Sequence, residues 1–416
     1  MKKSGTKIEI TAPVGSFESL MAAIHAGTDS VYFGVGVLNM RARSSVNFNL
    51  RDLVKISRIC QKNDVRTYLT LNTVIYDKEM LQMKQTVDSA KKNKISAIIA
   101  SDQAVIQYAN SIGMPVHMST QANISNTAAV KYYSAFADVM VTARELSLKQ
   151  VTEIIKTVTK EKITGPSGQP VKIEIFAHGA LCMAISGKCY LSLDNCNASA
   201  NRGACYQLCR RPYKVTDLDG AVELIVDNEY IMSPKDLCTI GFLDKILKTG
   251  VSILKIEGRG RSPEYVKTVV SCYREAVDAI RDDFYSQEKV EEWMKRLETV
   301  YNRGFWDGYY QGQTLGDWAI QHGSAATQHK EYIGKITNYF TQLKIAEIKM
   351  ESGMLAAGDP ILIIGPTTGV KDLNVPEIRV DMKTVKKTKK GDACSIPVYN
   401  LVRRGDKVYK IIYDTL

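Results

Sequence analysis

Short apolar runs rich in β-branched residues recur along the first two thirds of the chain, with amphipathic segments between them. The runs are typical of buried parallel strands, and the intervening segments carry apolar residues at helical spacing. We predict eight strands, at residues 7–10, 30–35, 65–71, 95–101, 114–120, 137–143, 172–177 and 251–257. Eight strand–helix units predict an α/β fold with a TIM-barrel-like (βα)8 domain, although an open doubly wound sheet produces a similar pattern.

From Tyr332 onward the pattern changes to short alternating runs separated by Gly, Pro and Asp. Alternation with a period of two is typical of half-buried antiparallel strands. We therefore predict a barrel domain at residues 1–311, a linker at 312–331 and a small antiparallel β-barrel at 332–416. Two helices are expected before the linker, one from Pro263 to Asp283 and one ending at Gly304. The aromatic residues that follow are interpreted as packing groups, with a stacking platform for bases as the alternative: Phe305, Trp306, Tyr309 and Tyr310.

Composition places the chain among globular proteins, with 45% hydrophobic and 24% charged residues. No apolar run approaches the roughly 20 residues that span a bilayer, and the N-terminus does not read as a signal peptide. We expect a cytoplasmic protein with no membrane partner.

The formal net charge of +11 is concentrated near the C-terminus, where residues 383–416 carry nine basic and three acidic side chains. A basic module favours a polyanionic partner, and RNA is the one we expect in the cytoplasm. A solvated basic face is the alternative. The predicted RNA-binding residues are Lys386, Lys387, Lys389, Lys390, Arg403 and Arg404.

Polar residues follow most of the predicted strands, and both α/β architectures place their sites at the carboxyl ends of parallel strands. Arg41, Arg144 and Arg259 each follow a strand, and guanidinium groups suit carboxylates or phosphates. They predict a site for a small anionic substrate. Asn72, His117 and Gln121 complete the predicted substrate-binding set. The alternatives are turn or capping roles for Asn72 and Asp102, and core roles for His117 and His178.

Residues 172–213 contain five of the nine cysteines. In a reducing compartment such a cluster indicates metal binding or redox chemistry. The absence of a CxxC pair disfavours the common structural zinc folds, whereas irregularly spaced thiolates on a loop are compatible with an iron–sulfur cluster. The five are Cys182, Cys189, Cys196, Cys205 and Cys209.

Several strings resemble the family long labelled collagenase-like peptidases, peptidase family U thirty-two: EIFAHGALCMAISGKCYLS, RGACYQLCRRPY, SPKDLC, LKIEGRGRSPEYV and YNRGFWDGYYQG. The resemblance covers nearly the whole chain. It implies one of two reaction classes, peptide cleavage or oxygen-independent hydroxylation. The hydroxylation branches include prephenate-dependent formation of 5-hydroxyuridine at the tRNA wobble position, cytidine hydroxylation in ribosomal RNA, and ubiquinone ring hydroxylation.

The resemblance also implies a 4Fe-4S cluster within a Cys-rich segment at 178–213, inserted after strand seven. Its ligands carry over onto Cys182, Cys189, Cys205 and Cys209. Cys238, in SPKDLC, is an alternative fourth ligand, and Cys196 matches no ligand of the family. A second family member is a candidate partner chain.

We favour prephenate-dependent tRNA hydroxylation over proteolysis, because the sequence contains neither HExxH nor GxSxG. A Cys182–His178 dyad is the peptidase alternative, and a metal-stabilised, non-catalytic RNA-binding protein is a third hypothesis. In the favoured hypothesis the arginines hold the carboxylates of prephenate. His178, Lys255 and Glu257 then position it or move protons.

Overall fold

The computed structural model describes residues 7–43, 47–213, 230–313 and 316–414. Its first ten strands are β1 (Glu9–Pro13), β2 (Ser30–Gly34), β3 (Arg66–Thr70), β4 (Ala97–Ala100), β5 (Val116–Met118), β6 (Val139–Val141), β7 (Lys172–Gly179), β8 (Asp236–Cys238), β9 (Ile253–Ile256) and β10 (Phe305–Trp306). Its helices are α1 (Phe17–His25), α2 (Asp52–Lys62), α3 (Met80–Lys92), α4 (Gln103–Ser111), α5 (Thr127–Ser134), α6 (Leu148–Lys160), α7 (Leu191–Cys196), α8 (Leu243–Lys248), α9 (Pro263–Arg281) and α10 (Gln287–Glu298).

Strands β1 to β7 and β9 form a closed barrel. Each of β1 to β6 pairs in parallel with the strand that follows it, and β9 pairs in parallel with both β7 and β1. Closure rules out the open doubly wound sheet, which has two unpaired edges. The predicted TIM-barrel-like domain is therefore confirmed, and all eight predicted strands take part in it.

Two short strands lie outside the barrel and were not predicted. Strand β8 pairs antiparallel with the end of β7, where His178 lies opposite Cys238, and β10 pairs with β8. Neither lies in an apolar run like those around β5 and β6, because β8 contains the charged Asp236 and β10 has only two residues. The prediction of a helix ending at Gly304 was wrong, because α10 ends at Glu298 and the chain then enters β10.

The aromatic residues after α10 lie against the barrel. Trp306 is buried, and the buried Tyr310 donates a hydrogen bond from its hydroxyl to the carbonyl of Phe176 in β7. The packing role proposed for them from the sequence is confirmed for these two side chains.

The C-terminal part forms a separate antiparallel sheet with its own apolar core. The predicted antiparallel β domain is confirmed. Its first strand begins inside the segment that we predicted to be a linker. The strands are β11 (Gln328–Phe340), β12 (Ile345–Met350), β13 (Pro360–Gly365), β14 (Gly369–Asn374), β15 (Ile378–Val380), β16 (Lys383–Val385), β17 (Ala393–Pro397) and β18 (Lys407–Tyr413).

This sheet packs on the flank of the barrel formed by α1 and α9. Leu362, Ile364 and Val370 form a small apolar cluster with Ala22 of α1. At Gly369, where φ is +66°, an added Cβ would lie 3.0 Å from the backbone nitrogen of Ala22, so the close approach requires glycine. None of the helices described by the structure combines the length and apolar character needed to cross a membrane.

Candidate functional site at the mouth of the barrel

A cavity of about 290 Å³ opens at the carboxyl ends of the barrel strands. It brings together most of the residues that the sequence singled out, although they come from five different strand ends and the Cys-rich segment. The predicted residues that line it are Arg41, Asn72, Gln121, Arg144, Lys255, Glu257, Arg259, Cys182, Cys189, Cys205 and Cys209.

Glu257, just after β9, lies at the centre of the charged part of this cavity. Its carboxylate accepts hydrogen bonds from the Tyr32 hydroxyl at 2.9 Å and from Arg41 Nη2 at 3.0 Å. Burial raises the pKa of Glu257, but the charges of Arg41, Arg144 and Arg259 outweigh burial and lower this pKa to about 2. The carboxylate therefore remains ionised at neutral pH and anchors the cations around it.

Arg259 is fixed by two neutral partners that sequence reasoning missed. Its Nη1 donates to Thr70 Oγ1 at 2.7 Å and to Asn39 Oδ1 at 3.1 Å. A Cβ added at Gly34 would lie 2.7 Å from the guanidinium, so this strand end leaves room for the arginine. Burial lowers the pKa of Arg259 to about 10, and the group stays charged at neutral pH.

Arg144 enters the cavity from the end of β6. Its Nη1 donates to the carbonyl of Ala180 at 3.0 Å, and its guanidinium carbon lies 3.8 Å from the centroid of the Phe176 ring. These contacts fix the plane of the guanidinium, which suits the recognition of planar anions.

Arg41 connects the charged part of the cavity with the cysteines. Burial alone would lower the pKa of Arg41, but the Glu257 carboxylate and thiolate charges at Cys182 and Cys205 raise it. One face of the cavity thus carries three guanidinium groups against the single carboxylate of Glu257, an arrangement that favours a small anion.

Lys255, in β9, faces the inside of the barrel on the same side as Glu257, because alternate residues of a strand share a face. It lies deeper in the barrel than Glu257. Its Nζ is 2.7 Å from Glu174 Oε1 and 4.5 Å from the centroid of the Tyr32 ring. Both members of the ion pair are buried. Burial raises the pKa of Glu174, and Lys255 acts against this rise. Glu174 was missed, although a single acidic residue within the apolar run KIEIFA was a usable signal.

Asn72 and Gln121 form an amide pair on the opposite wall. Asn72 Nδ2 donates to Gln121 Oε1 at 3.0 Å, and Asn72 Oδ1 accepts from the backbone nitrogen of Met40 at 3.3 Å. Asn72 is therefore a lining residue. Asp102 has the other role considered for it, because it caps α4 through Ala104 N.

The two histidines lie outside the cavity lining. The expected alternation would turn His178 inward, but a β-bulge pairs Phe176 with Lys255 and His178 with Ile256, which turns His178 outward. There it packs against Tyr273 of α9 and Phe305. His178 is therefore not placed among the reacting groups of the cavity, contrary to our catalytic assignment.

His117 is a buried barrel residue whose ring centroid lies 4.4 Å from that of Tyr68. Burial is the main cause that lowers the pKa of both His117 and His178 to about 3. Both imidazoles are neutral at physiological pH, and the core interpretation fits them better than substrate binding or catalysis.

The four cysteines implied by the family resemblance share the cavity, whereas Cys196 and Cys238 do not line it. Burial raises the pKa of Cys209, and thiolate charges at Cys182, Cys205 and Cys189 add to the rise. Within the residues that the structure describes, no three His, Cys, Asp or Glu side chains come close enough together to hold a single metal ion.

Cys238, the alternative fourth ligand, faces the helix layer. Its Sγ lies 3.7 Å from Met294 Sδ and 4.0 Å from the Tyr273 hydroxyl, and burial raises its pKa to about 12. Of the two alternatives, Cys209 is the one that shares the cavity with Cys182, Cys189 and Cys205.

The six predicted RNA-binding residues are all exposed on the C-terminal sheet and its loops, and none lines the cavity. Four of them, at 386, 387, 389 and 390, lie between β16 and β17, and the other two precede β18. Their exposure is compatible with RNA binding and equally with a solvated basic face.

A model of peptidase family U32 matches residues 15–319, which contain the whole cavity lining. The chain belongs to peptidase family U32. A protein named "Collagenase" from Porphyromonas gingivalis is 57% identical, over 97% of this chain and 97% of that protein. The "tRNA hydroxylation protein P1" of Bacillus subtilis is 31% identical, over 86% and 84%.

A third U32 relative is the 23S rRNA 5-hydroxycytidine synthase of Escherichia coli, 30% identical over 76% of this chain and 47% of that protein. Relatives of this chain thus carry names from two classes, a collagenase and proteins of RNA hydroxylation.

Proposed function

We propose that this U32 protein is an iron–sulfur enzyme that hydroxylates a pyrimidine base in RNA without molecular oxygen, with wobble uridine of tRNA as its substrate. A small carboxylate, for which prephenate is our candidate, serves as co-substrate. The observation that carries the proposal is the shared cavity of about 290 Å³, which is lined by the four cysteines and by six arginines, Arg41, Arg144 and Arg259 among them.

The cysteines fit a polynuclear cluster better than a single ion. In a cubane each thiolate binds a different iron, so the four sulfurs surround the cluster and need not converge on one point. Cys182, Cys189, Cys205 and Cys209 surround the same cavity and influence one another's charges. When bound there, a 4Fe-4S cluster would supply electron transfer or Lewis acidity.

The charged face of the cavity provides the groups that would bind the carboxylates of the co-substrate. Arg41, Arg144 and Arg259 provide three fixed cations, and a dicarboxylate such as prephenate can engage more than one of them through paired hydrogen bonds. Glu257 keeps Arg41 in place but does not neutralise all three.

Lys255 is the residue that we assign to proton transfer. It lines the cavity, and its ammonium group can donate a proton to an oxygen atom of a bound molecule, while Glu174 holds its position from below. Glu257, with its low pKa, serves as a positioning residue. His178 has no part in this scheme.

Peptide cleavage is the second candidate, favoured by the name of the relative that is 57% identical. A cysteine peptidase requires a base beside its nucleophile. The residue nearest in sequence to Cys182 that meets this need is His178, which is turned toward Tyr273 on the far side of the β7 wall. The hydroxylation proposal uses the residues that the cavity contains, so we favour it.

The test is a reaction of anaerobically purified protein with unmodified tRNA and prephenate, followed by mass spectrometry of the nucleosides. We expect a brown protein with about four irons per chain and new 5-hydroxyuridine. Gelatin and a collagen-like peptide are assayed in parallel. Efficient peptide cleavage by iron-free protein, with no change in the tRNA, would replace the proposal by the second candidate.

A further inference from the structure

A second cavity, of about 180 Å³, lies against the segment of residues 181–186 that also borders the first. Arg144 and Cys182 belong to the linings of both. The rest of its wall is strongly aromatic. It includes Trp306 and Tyr309, for which packing was favoured over base stacking from the sequence, and a third ring, Trp318.

The aromatic wall is held by backbone and ring contacts. Trp306 and Tyr309 meet edge to face with ring centroids 5.3 Å apart. Trp318 is fixed by an isolated bridge to Pro234, and Gly316 lies against its ring, where an added Cβ would be 3.3 Å from the indole. The cavity thus has flat apolar surfaces in set positions.

Two buried hydrogen-bond donors without acceptors lie beside these aromatic surfaces. Trp306 is only 8% exposed, and its indole N–H has no hydrogen-bond acceptor among the described residues. The Nε of Arg144 is likewise buried and unpartnered within the described part of the chain. A buried donor without an acceptor costs free energy, so both groups favour a ligand that carries acceptor atoms. The exposed carboxylate of Glu145, which also belongs to this lining, can accept a hydrogen bond from a ligand.

We propose that the second cavity binds the pyrimidine base that is to be modified. This inference rests on the proposed function and deepens it by giving the base a site of its own. A uracil ring carries two carbonyl oxygens that accept hydrogen bonds, on either side of an N–H that donates. Its face can stack on Trp306, Tyr309 or Trp318, and base–aromatic stacking contributes about 1–3 kcal/mol per base.

The position of the second cavity suits the chemistry. Enzymes that react with a base take it out of the stack and into a pocket of its own. Here the pocket shares Cys182 and Arg144 with the cavity proposed for the cluster and the carboxylate. The base and the co-substrate therefore approach from two sides of one short segment and do not compete for the same space.

The surface around the segment is suited to neighbouring nucleotides. Met183, Ile185, Tyr190 and Tyr206 are exposed large side chains on the Cys-rich segment, and the guanidinium of Arg43 lies 5.7 Å from the centroid of the Tyr206 ring. Exposed aromatic rings beside basic groups are typical of single-stranded nucleic-acid contacts. A proline-rich peptide also stacks on aromatic rings, which makes it the ligand to exclude.

Intrinsic fluorescence tests this site directly, because two of the three tryptophans line it. The third, Trp293, packs against Tyr285 and donates its indole N–H to Glu275 in another part of the barrel. The probes are single-stranded hexamers of uridylate and of adenylate, uridine monophosphate, and a proline-rich collagen-like peptide.

We expect saturable quenching by the uridylate probes, with at least tenfold weaker binding of adenylate. Trp318→Phe should remove part of the signal. Trp306→Phe, which keeps an aromatic ring but deletes the N–H donor, should weaken uridylate binding about tenfold, since one net hydrogen bond is lost. Trp293→Phe, the same substitution in another part of the barrel, is the matched control and should leave binding unchanged.

No quenching by uridylate, or quenching by the peptide alone, would overturn the inference. Equal binding of uridylate by wild type and Trp306→Phe would also contradict it. The test is independent of the reaction, because Cys205→Ser protein, expected to lack the cluster, should still bind uridylate. Hydroxylation without uridylate binding at the tryptophans would refute this site and leave the proposed function intact.

Discussion

The barrel mouth and the C-terminal sheet are both basic, but they hold their charges in opposite ways. At the mouth, Arg259 is buried and hydrogen bonded to Thr70 and Asn39, and Arg41 pairs with Glu257. On the sheet, the six basic residues at 386–390 and 403–404 are exposed to solvent.

The difference shows which basic groups identify a site. Burying a charge costs several kcal/mol unless partners offset that cost, whereas an exposed lysine costs almost nothing. The buried, convergent arginines therefore point to a defined anion. The exposed lysines are compatible with any polyanion, and with none.

Among substitutions that compare the two regions, we expect the largest effect at Arg259, on the binding of the co-substrate. Arg259→Met removes a fixed cation from the cavity and should weaken co-substrate binding about 100-fold, near the value of a lost charge-assisted hydrogen bond. Arg404→Met removes an equal charge from the sheet and should leave this binding unchanged. Equal effects of the two substitutions on the KM for prephenate would break the contrast.

The next effect concerns the buried histidines behind the mouth. The pKa of His178 is about 3 in the folded protein against an ordinary 6.5. The neutral imidazole's contribution to stability is fully present above pH 6.5 and is lost as the pH falls toward 3. At pH 5 the stability lost relative to neutral pH amounts to about 2 kcal/mol.

His178→Phe should therefore lose about 2 kcal/mol less stability than wild type between pH 7 and pH 5, as measured by urea unfolding at each pH. The matched control is His322→Phe, at an exposed position, which should follow the wild-type curve. Identical curves for His178→Phe and wild type would mean that His178 is accessible and charged, and would return it to the list of candidate catalytic groups.

A smaller effect is expected for the exposed lysines of the sheet. Glutamine at positions 386, 387, 389 and 390 should lower tRNA affinity at low salt and reduce the slope of log affinity against log salt by up to about 3. The control replaces four exposed lysines on barrel helices: Lys62, Lys92, Lys156 and Lys160. Equal losses in both variants would show that these sheet lysines act only through net charge.

The smallest effect should occur where the two regions meet. Lys267 and Asp372 form an ion pair between α9 and β14, and both side chains are partly exposed. Asp372→Asn should change the free energy of unfolding by less than about 1 kcal/mol, because screened surface pairs contribute little. Separate unfolding of barrel and sheet in this variant would reveal that the pair holds them together.

Most of the barrel strands could be predicted from the sequence because they are buried on both faces. Runs such as SVYFGV and ISAIIAS are too apolar for any other position, and the polar residues after them define the mouth. Closure of a barrel brings all strand ends together. The prediction that one cavity gathers the residues after the strands is therefore met by Arg41, Arg144, Arg259 and the four cysteines.

The failures have physical causes that a sequence does not display. His178 was expected at the site because it ends strand seven, and one extra residue in β7 turns its side chain away from the cavity. For Trp306 packing was favoured and is confirmed, but nothing in the string GFWDGYYQG shows that its N–H lacks an acceptor. Thr70 and Asn39 were missed because small polar residues near strand ends are common and gain meaning only from Arg259.

The central claim is that the four-cysteine cavity modifies RNA. Its most direct test is the 5-hydroxyuridine content of tRNA, measured by nucleoside mass spectrometry in a strain that lacks the gene and carries either wild-type or Cys205→Ser protein. We expect restoration by wild type, and loss of both iron and modification with Cys205→Ser. The exposed Cys196→Ser is the matched control and should behave as wild type. Full modification by an iron-free Cys205→Ser protein would contradict the account.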